Sequence, residues 1–195
     1  MDRIKSEVLR KLEAAVSRDL VDEDVIPLLD ILNGFEEYVT TSSCSGRMQL
    51  ISVPGPGDKR GSKVIGKWHR KVDSRKVLDA VDRWDGEGEL HFMVQPLLVH
   101  VRCRDMAAAV RLRNIAHGTG PKLSTIRSVK LDAEGEPARW GTVVEIMGTE
   151  RMEVPIDGME RVHLERYLKL WVEKGHDLMD RTKRSIPRLM EEMPA

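Results

Sequence analysis

The sequence has few cysteines, few aromatic residues, no net charge and no long apolar run. Its 195 residues include two cysteines, four Trp, two Tyr and two Phe, and 32 acidic side chains balance 32 basic ones. Two cysteines cannot build a disulfide framework, and no Cys/His group has the spacing of a zinc site. No apolar run reaches the roughly 18–20 residues that cross a bilayer. These absences exclude secreted, membrane and zinc proteins, and they predict a cytoplasmic protein without a bound metal.

Apolar residues at helical and alternating spacings predict the elements of the fold. Helices and strands do not alternate strictly along the chain, which favours an α+β fold over a doubly wound sheet. We expect a mixed, largely antiparallel sheet with flanking helices, in a single domain over residues 1–195. N-terminal helices would occupy 1–34, a mixed core 40–158 and a helical region 159–195, with a break at Gly175 or Pro187.

The string Thr40-Thr41-Ser42-Ser43-Cys44-Ser45-Gly46-Arg47 holds the densest set of chemical groups in the chain. Short hydroxyl side chains and exposed amides suit a loop that wraps a polar ligand, and the Arg at its end can bind a carboxylate or a phosphate. The alternative is a turn in which Ser and Thr side chains satisfy their own backbone.

Basic residues are concentrated in 59–76, which holds eight Lys/Arg and one Asp. The segment contains Lys67-Trp68-His69, where a Trp can stack on a base while the cations contact phosphates. A solvated hairpin with a core Trp explains the same pattern. The segment therefore leaves two interpretations open, a local nucleic-acid site and an ordinary surface hairpin.

Other candidates for chemistry lie on predicted strands. His100 lies among apolar residues. It is either a core histidine whose hydrogen bonds are satisfied or a functional histidine. Cys44 is a possible nucleophile, but only two residues separate it from Arg47, whereas a phosphatase loop needs five. Cys103 ends an apolar strand and is expected to be buried and inert.

Several strings together resemble one family, the tRNA methyltransferases of the wyosine/wybutosine pathway, in their archaeal form. The most specific is Ser42-Ser43-Cys44-Ser45-Gly46-Arg47, and the likeness extends over about residues 4–175. The other strings are Asp22-Glu23-Asp24-Val25, Leu32-Asn33, Lys67-Trp68-His69, the segment Pro96-Leu97-Leu98-Val99-His100-Val101 followed by Cys103, and Glu153-Val154-Pro155.

This resemblance implies methylation, by S-adenosylmethionine, of the N(4) ring nitrogen of a tricyclic guanosine-derived base. The base lies beside the anticodon of phenylalanine tRNA. The family does not use the Rossmann methyltransferase fold, so the lack of a G-x-G-x-G loop does not argue against methyl transfer.

With the resemblance, each candidate residue receives an expected role. The expected catalytic residues are His69, Ser43 and Cys44, with His69 preferred as the general base over His100. The residues expected to bind the methyl donor are Ser42, Ser45, Gly46, Arg47, His100 and Ser124. The residues expected to bind tRNA are Lys59, Arg60, Lys63, Lys67, Trp68, Arg70 and Lys122. We also expect the loops 42–47 and 122–125 to border one cleft.

Two other functions compete with methyl transfer. The first is a non-catalytic RNA-binding module that uses the basic hairpin 59–76. The second is a hydrolase that depends on Cys44.

Overall fold

The structure, a computed structural model, describes residues 2–55 and 61–194. In chain order its helices are α1 (Arg3–Val16), α2 (Ile26–Gly34), α3 (Ser74–Val81), α4 (Met106–Thr119) and α5 (Arg161–Glu191), and a short 3-10 turn (Glu23–Val25) precedes α2. The strands are β1 (Tyr38–Cys44), β2 (Arg47–Val53), β3 (Lys63–Trp68), β4 (Glu89–Gln95), β5 (Leu98–Cys103), β6 (Thr125–Leu131), β7 (Pro137–Met147) and β8 (Met152–Pro155).

The chain divides into two compact units. Unit 1 comprises Met1–Ser45, Leu97–Thr149 and Thr182–Ala195, and unit 2 comprises Gly46–Pro96 and Glu150–Arg181. Each unit has its own four-stranded sheet and its own apolar core. Two units can belong to one domain, so the prediction of a single domain stays a prediction.

The sheet of unit 1 has the strand order β1-β5-β7-β6, and every neighbouring pair is antiparallel. Along β5, Val99, Val101 and Cys103 are fully buried, whereas His100 and Arg102 are only partly buried. Because successive side chains of a strand point to opposite faces, one face of the sheet packs on the core and the other carries the polar groups. The buried face packs against residues of α2, α4 and the end of α5.

The sheet of unit 2 has the order β3-β2-β4-β8 and is also antiparallel. Its core contains Met48 and Leu50 of β2 and Phe92 of β4, all fully buried. Residues of α3 and of the first two-thirds of α5 complete this core. The observed class, α+β with antiparallel sheets rather than a Rossmann fold, confirms the predicted fold class.

The prediction of a loop over the hydroxyl-rich string was wrong for its first half, because Tyr38–Cys44 forms strand β1. Tyr38, Val39 and two consecutive Thr residues have high strand propensity, and pairing with β5 satisfies their backbone groups. The register shifts between Thr40 and Ser42, so β1 contains a bulge at Thr41. Bulges re-aim side chains, and here Thr41 and Ser42 are both exposed.

The prediction of a break in the C-terminal helix was also wrong, because α5 continues through both Gly175 and Pro187. A Cβ on Gly175 would lie 3.0 Å from the Met48 methyl group and 3.1 Å from Val94, so this glycine allows close packing in unit 2. Beyond Pro187, buried Leu189 belongs to the core of unit 1, and such packing offsets the missing hydrogen bond. None of the helices described here is both long and apolar enough to span a bilayer.

The turn before β4 contains two glycines whose replacement by alanine tests the structure. Gly86 and Gly88 both have positive φ angles, of 81° and 75°, but only Gly88 is crowded. A Cβ at Gly88 would overlap the Val53 carbonyl and lie 2.9 Å from its carbon, whereas nothing lies within 4 Å of one at Gly86. We expect Gly86→Ala to lower the free energy of unfolding by about 1 kcal/mol, and Gly88→Ala by more than about 2 kcal/mol.

Urea unfolding of both variants measures this difference. Equal losses for the two variants would contradict the predicted overlap with the backbone of β2, since the variants share the strain of a positive φ.

Candidate functional site

A cavity of about 490 Å³ lies beside β1, an edge strand of the unit 1 sheet. Four consecutive hydroxyl residues of β1 and Arg102 of β5 form its polar side. They are Thr40, Thr41, Ser42 and Ser43. The remaining wall is formed by Lys11 and by apolar residues, namely Val8, Leu12, Ala15, Leu20, Val21 and Leu29. This size and mixed lining are typical of small-molecule sites.

A row of hydrogen-bonded side chains crosses the sheet from the cavity. Ser42 Oγ lies 2.8 Å from His100 Nδ1, and His100 Nε2 lies 2.7 Å from Glu145 Oε2. The registers of β1, β5 and β7 place these three residues directly opposite one another. Arg127 of β6 forms an ion pair with the same carboxylate oxygen of Glu145. The row therefore uses all four strands of the sheet.

The electrostatics of the row decide which ring nitrogen of His100 carries the proton. Burial raises the pKa of the Glu145 carboxyl group, but the hydrogen bond from His100 and the charge of Arg127 outweigh it, and the pKa lies below its ordinary value. The ionised carboxylate accepts a hydrogen bond from Nε2–H. In a neutral imidazole Nδ1 is then the acceptor, and it faces the Ser42 hydroxyl.

This arrangement can move a proton. A hydroxyl group, an imidazole and a carboxylate in this order form a proton acceptor with an orienting group behind it, as in serine hydrolases. Ser42 is exposed and lines the cavity, so a ligand there can reach the first member of the row. The row can accept a proton from a bound group while Glu145 stabilises the positive charge on His100.

Polar contacts hold both ends of β1 in place. At the start, Asn33 Oδ1 accepts a hydrogen bond from the Thr40 amide at 2.8 Å, and Asn33 Nδ2 donates to the Thr40 hydroxyl at 2.9 Å. At the end, Asp22 Oδ2 accepts from the amide and the hydroxyl of Ser45, at 2.8 and 3.1 Å. The hydroxyl residues between these anchors are therefore held beside the cavity.

Some of the predicted catalytic and donor-binding residues of unit 1 line the cavity, and others are buried away from solvent. Ser42 and Ser43 line the cavity, whereas Cys44 and Ser45 are buried at the end of β1. Ser124 is buried as well: its hydroxyl donates to the Pro121 carbonyl at 2.6 Å and accepts from the Met147 amide at 3.2 Å. The roles predicted for these residues stay predictions, as does the single cleft between loops 42–47 and 122–125.

Cys103 behaves as expected for an inert core residue. The side chain is fully buried, and burial raises the pKa of its thiol to about 12. A thiol with so high a pKa has almost no nucleophilic thiolate at neutral pH.

Among the other predicted residues that the structure describes, Lys122 is exposed before β6 in unit 1, and the rest belong to unit 2. Gly46 is buried with φ 98°, and Arg47 Nε donates to Gln49 Oε1 at 3.1 Å. His69 is partly buried just after β3. The Trp68 ring covers Gly66, where a Cβ would lie 2.8 Å from ring carbon Cζ2, and it packs on the core of unit 2.

The predicted tRNA-binding cations lie in different environments. Lys59 and Arg60 fall outside the described residues. Lys63 forms an exposed ion pair with Asp85 at 2.7 Å, and the hydrogen bond in this pair raises the pKa of the lysine. Lys67 and Arg70 are exposed.

Sequence reasoning missed three residues of the site: Arg102, Arg127 and Glu145. A signal for Arg102 was present. In the apolar strand from Leu98 to Cys103, the period of two places His100 and Arg102 on one face, away from the core. No local pattern assigns Glu145 to His100, because their contact depends on the pairing of β5 with β7.

Known proteins match this chain over its whole length. The family described as "Methyltransferase TYW3" matches residues 3–195. A protein of Pyrococcus horikoshii named tRNA(Phe) 7-((3-amino-3-carboxypropyl)-4-demethylwyosine(37)-N(4))-methyltransferase 1 is 39% identical over 195 residues, which is 100% of this chain and 95% of that protein. An Archaeoglobus fulgidus protein named as the same kind of methyltransferase is 34% identical, with 97% of this chain and 91% of its own length covered.

Solved structures agree with these matches. The "PH1069 protein from Pyrococcus horikoshii" superposes with a TM-score of 0.85 at 40% identity, covering 99% of this chain and 95% of that one. A hypothetical protein from Aeropyrum pernix gives a TM-score of 0.70 at 25% identity, covering 88% of this chain and 96% of that one. With a family match from residue 3 to residue 195 and relatives close to 40% identical, the chain belongs to the TYW3 methyltransferase family.

Proposed function

We propose that this chain transfers a methyl group from S-adenosylmethionine to the N(4) ring nitrogen of a 4-demethylwyosine-type base in phenylalanine tRNA, next to the anticodon. The observation that carries the proposal is the full-length family match, together with relatives that are named as methyltransferases of this base in tRNA(Phe). The alternative of a non-catalytic RNA-binding module does not account for these names, nor for the proton-accepting row beside the cavity.

The cavity of unit 1 fits the methyl donor. Its volume of about 490 Å³ lies in the range of small-molecule sites, and its apolar wall suits an adenine ring. The hydroxyl groups of Thr41, Ser42 and Ser43 can bond the hydroxyl groups of a ribose and an ammonium group. When bound, S-adenosylmethionine supplies a methyl carbon attached to a cationic sulfur.

The residues of the chain then have two tasks, to position the reactants and to accept a proton. Holding the reacting atoms in line supplies much of the rate of a displacement at carbon. The ring nitrogen that gains the methyl group gives up a proton. We assign that proton to the row that begins at Ser42, with His100 as the acceptor and Glu145 as its positioning residue. His69, the preferred base from sequence, stays a prediction.

We also propose that tRNA binds beside strand β3. Lys67 of this strand is exposed, and so is Arg70 just after it. Cations in such positions contact phosphates, and the single-stranded anticodon loop lets a base leave its stack at a cost of a few kcal/mol. A tRNA substrate agrees with the prediction of a cytoplasmic protein, which stays a prediction.

Transfer of a labelled methyl group tests the function directly. The purified chain is incubated with labelled S-adenosylmethionine and phenylalanine tRNA whose tricyclic base lacks the N(4) methyl group. We expect label in that base and none in tRNA that already carries the methyl group. Donor binding without transfer to the unmethylated base would contradict the proposed acceptor, and absence of both would contradict methyl transfer.

The proton-accepting row predicts a specific kinetic defect for His100→Asn. Asparagine keeps a polar group at this position but cannot accept the proton at neutral pH. We expect kcat to fall about 100-fold or more while KM changes little, because general-base catalysis contributes at least about that factor. Single-turnover methylation rates measure the chemical step.

His163→Asn is the matched control, because His163 is an exposed histidine of α5 in unit 2. It should keep the wild-type rate. A His100→Asn variant with normal kcat would remove the row from the mechanism.

If Lys67 contacts a phosphate of the tRNA, Lys67→Ala weakens tRNA binding and makes it less dependent on salt. Each phosphate contact in a single-stranded segment contributes about 0.7 to the slope of log K against log salt. We expect the variant to bind tRNA more weakly and the slope to fall by about 0.7. Lys169→Ala, an exposed lysine of α5, should leave the slope unchanged. An unchanged slope for Lys67→Ala would place the phosphates elsewhere.

A further inference from the structure

Arg102 is a cation of the cavity with unused hydrogen-bonding capacity. The residue lines the cavity from β5 and is partly buried. Its Nε atom is buried, and within the part of the chain that the structure describes it has no hydrogen-bond partner. A buried donor without a partner is unfavourable, so a ligand that supplies an acceptor gains this free energy on binding.

The other cation of the cavity is already engaged. Lys11 Nζ lies 2.7 Å from Glu7 Oε1, one turn earlier on α1, and both side chains are largely exposed. The described lining residues of the cavity include no Asp or Glu that could neutralise Arg102. The cavity therefore offers an unneutralised guanidinium group beside a row of hydroxyl groups.

We propose that Arg102 binds the α-carboxylate of an amino-acid group. A planar guanidinium matches a carboxylate through two parallel hydrogen bonds, and the hydroxyl groups of Thr41 and Ser42, which line the same cavity, can accept from the neighbouring ammonium. The inference rests on the proposed function, since both reactants of that reaction carry this group. The methyl donor ends in a methionine moiety, and the base named for the relatives carries a 3-amino-3-carboxypropyl side chain.

The donor arm of the test compares S-adenosylmethionine with its decarboxylated analogue by calorimetry. If Arg102 binds the donor carboxylate, Arg102→Gln weakens binding of S-adenosylmethionine about 10- to 100-fold and leaves binding of the analogue unchanged. The wild-type preference for the carboxylated donor then disappears. Arg102→Lys should restore part of it, because a lysine keeps the charge but loses the planar fork.

The substrate arm uses tRNA whose base either carries or lacks the aminocarboxypropyl side chain. If Arg102 binds the substrate carboxylate, donor binding is unchanged, and the variant loses the wild-type preference for tRNA with the side chain by a similar factor. If Arg102→Gln weakens both tRNAs equally, the residue contacts a phosphate, and the proposal is wrong.

Two controls keep the result interpretable. Arg113→Gln changes a partly buried arginine of α4 in the same unit, which lies outside the cavity lining, and should match wild type in both arms. Thermal unfolding of Arg102→Gln shows whether the variant is folded, and Arg102→Met, which preserves the aliphatic packing, serves as a second variant. Wild-type methyl transfer with no change in either arm would overturn this inference alone, whereas wild-type protein without transfer or donor binding would overturn the proposed function.

Discussion

The alternation of side chains along β5 is the constraint on which the site depends. Three residues of this strand are buried in the core of unit 1, and the residues between them face the polar side of the sheet. A shift of register by one residue would exchange these faces, so that His100 and Arg102 would enter an apolar core. The free energy of burying Val99, Val101 and Cys103 therefore also holds the polar groups in place. The stability of unit 1 and the placement of its polar groups therefore both depend on the register of one strand.

The polar row also shows how a sheet can orient an imidazole without a dedicated loop. His100 is held between a hydroxyl group on one side and a carboxylate on the other, each supplied by the next strand. Partial burial raises the pKa of Glu145, but the hydrogen bond from His100 and the charge of Arg127 together hold it below its ordinary value. In serine hydrolases the hydroxyl group of such a row attacks the substrate. A methyl transfer to nitrogen requires only its capacity to accept a proton, since the nucleophile belongs to the base.

Local pattern predicted much of the fold and less of the site. The predicted α+β class and the apolar strand that ends at Cys103 correspond to elements that the structure contains. The prediction failed where tertiary structure decided the outcome. The hydroxyl-rich string suited a loop, but pairing with β5 makes its first half strand β1. Helix α5 passes Pro187 because Leu189 and Met193 beyond it are buried in the core of unit 1. Glu145 acts through a cross-strand contact and could not be assigned, because His100 and Glu145 are 45 positions apart in the chain.

Unit 1 consists of three separate segments of the chain, and this affects how it can fold during translation. The unit is assembled from the first, a middle and the last segment of the sequence, and its core includes Ile186, Leu189 and Met193. During translation from the N-terminus, β1 and β5 can pair before the final helical turns exist. The core that faces them stays incomplete until those turns have left the ribosome. Unit 2 ends at Arg181, and its own core can close before that of unit 1.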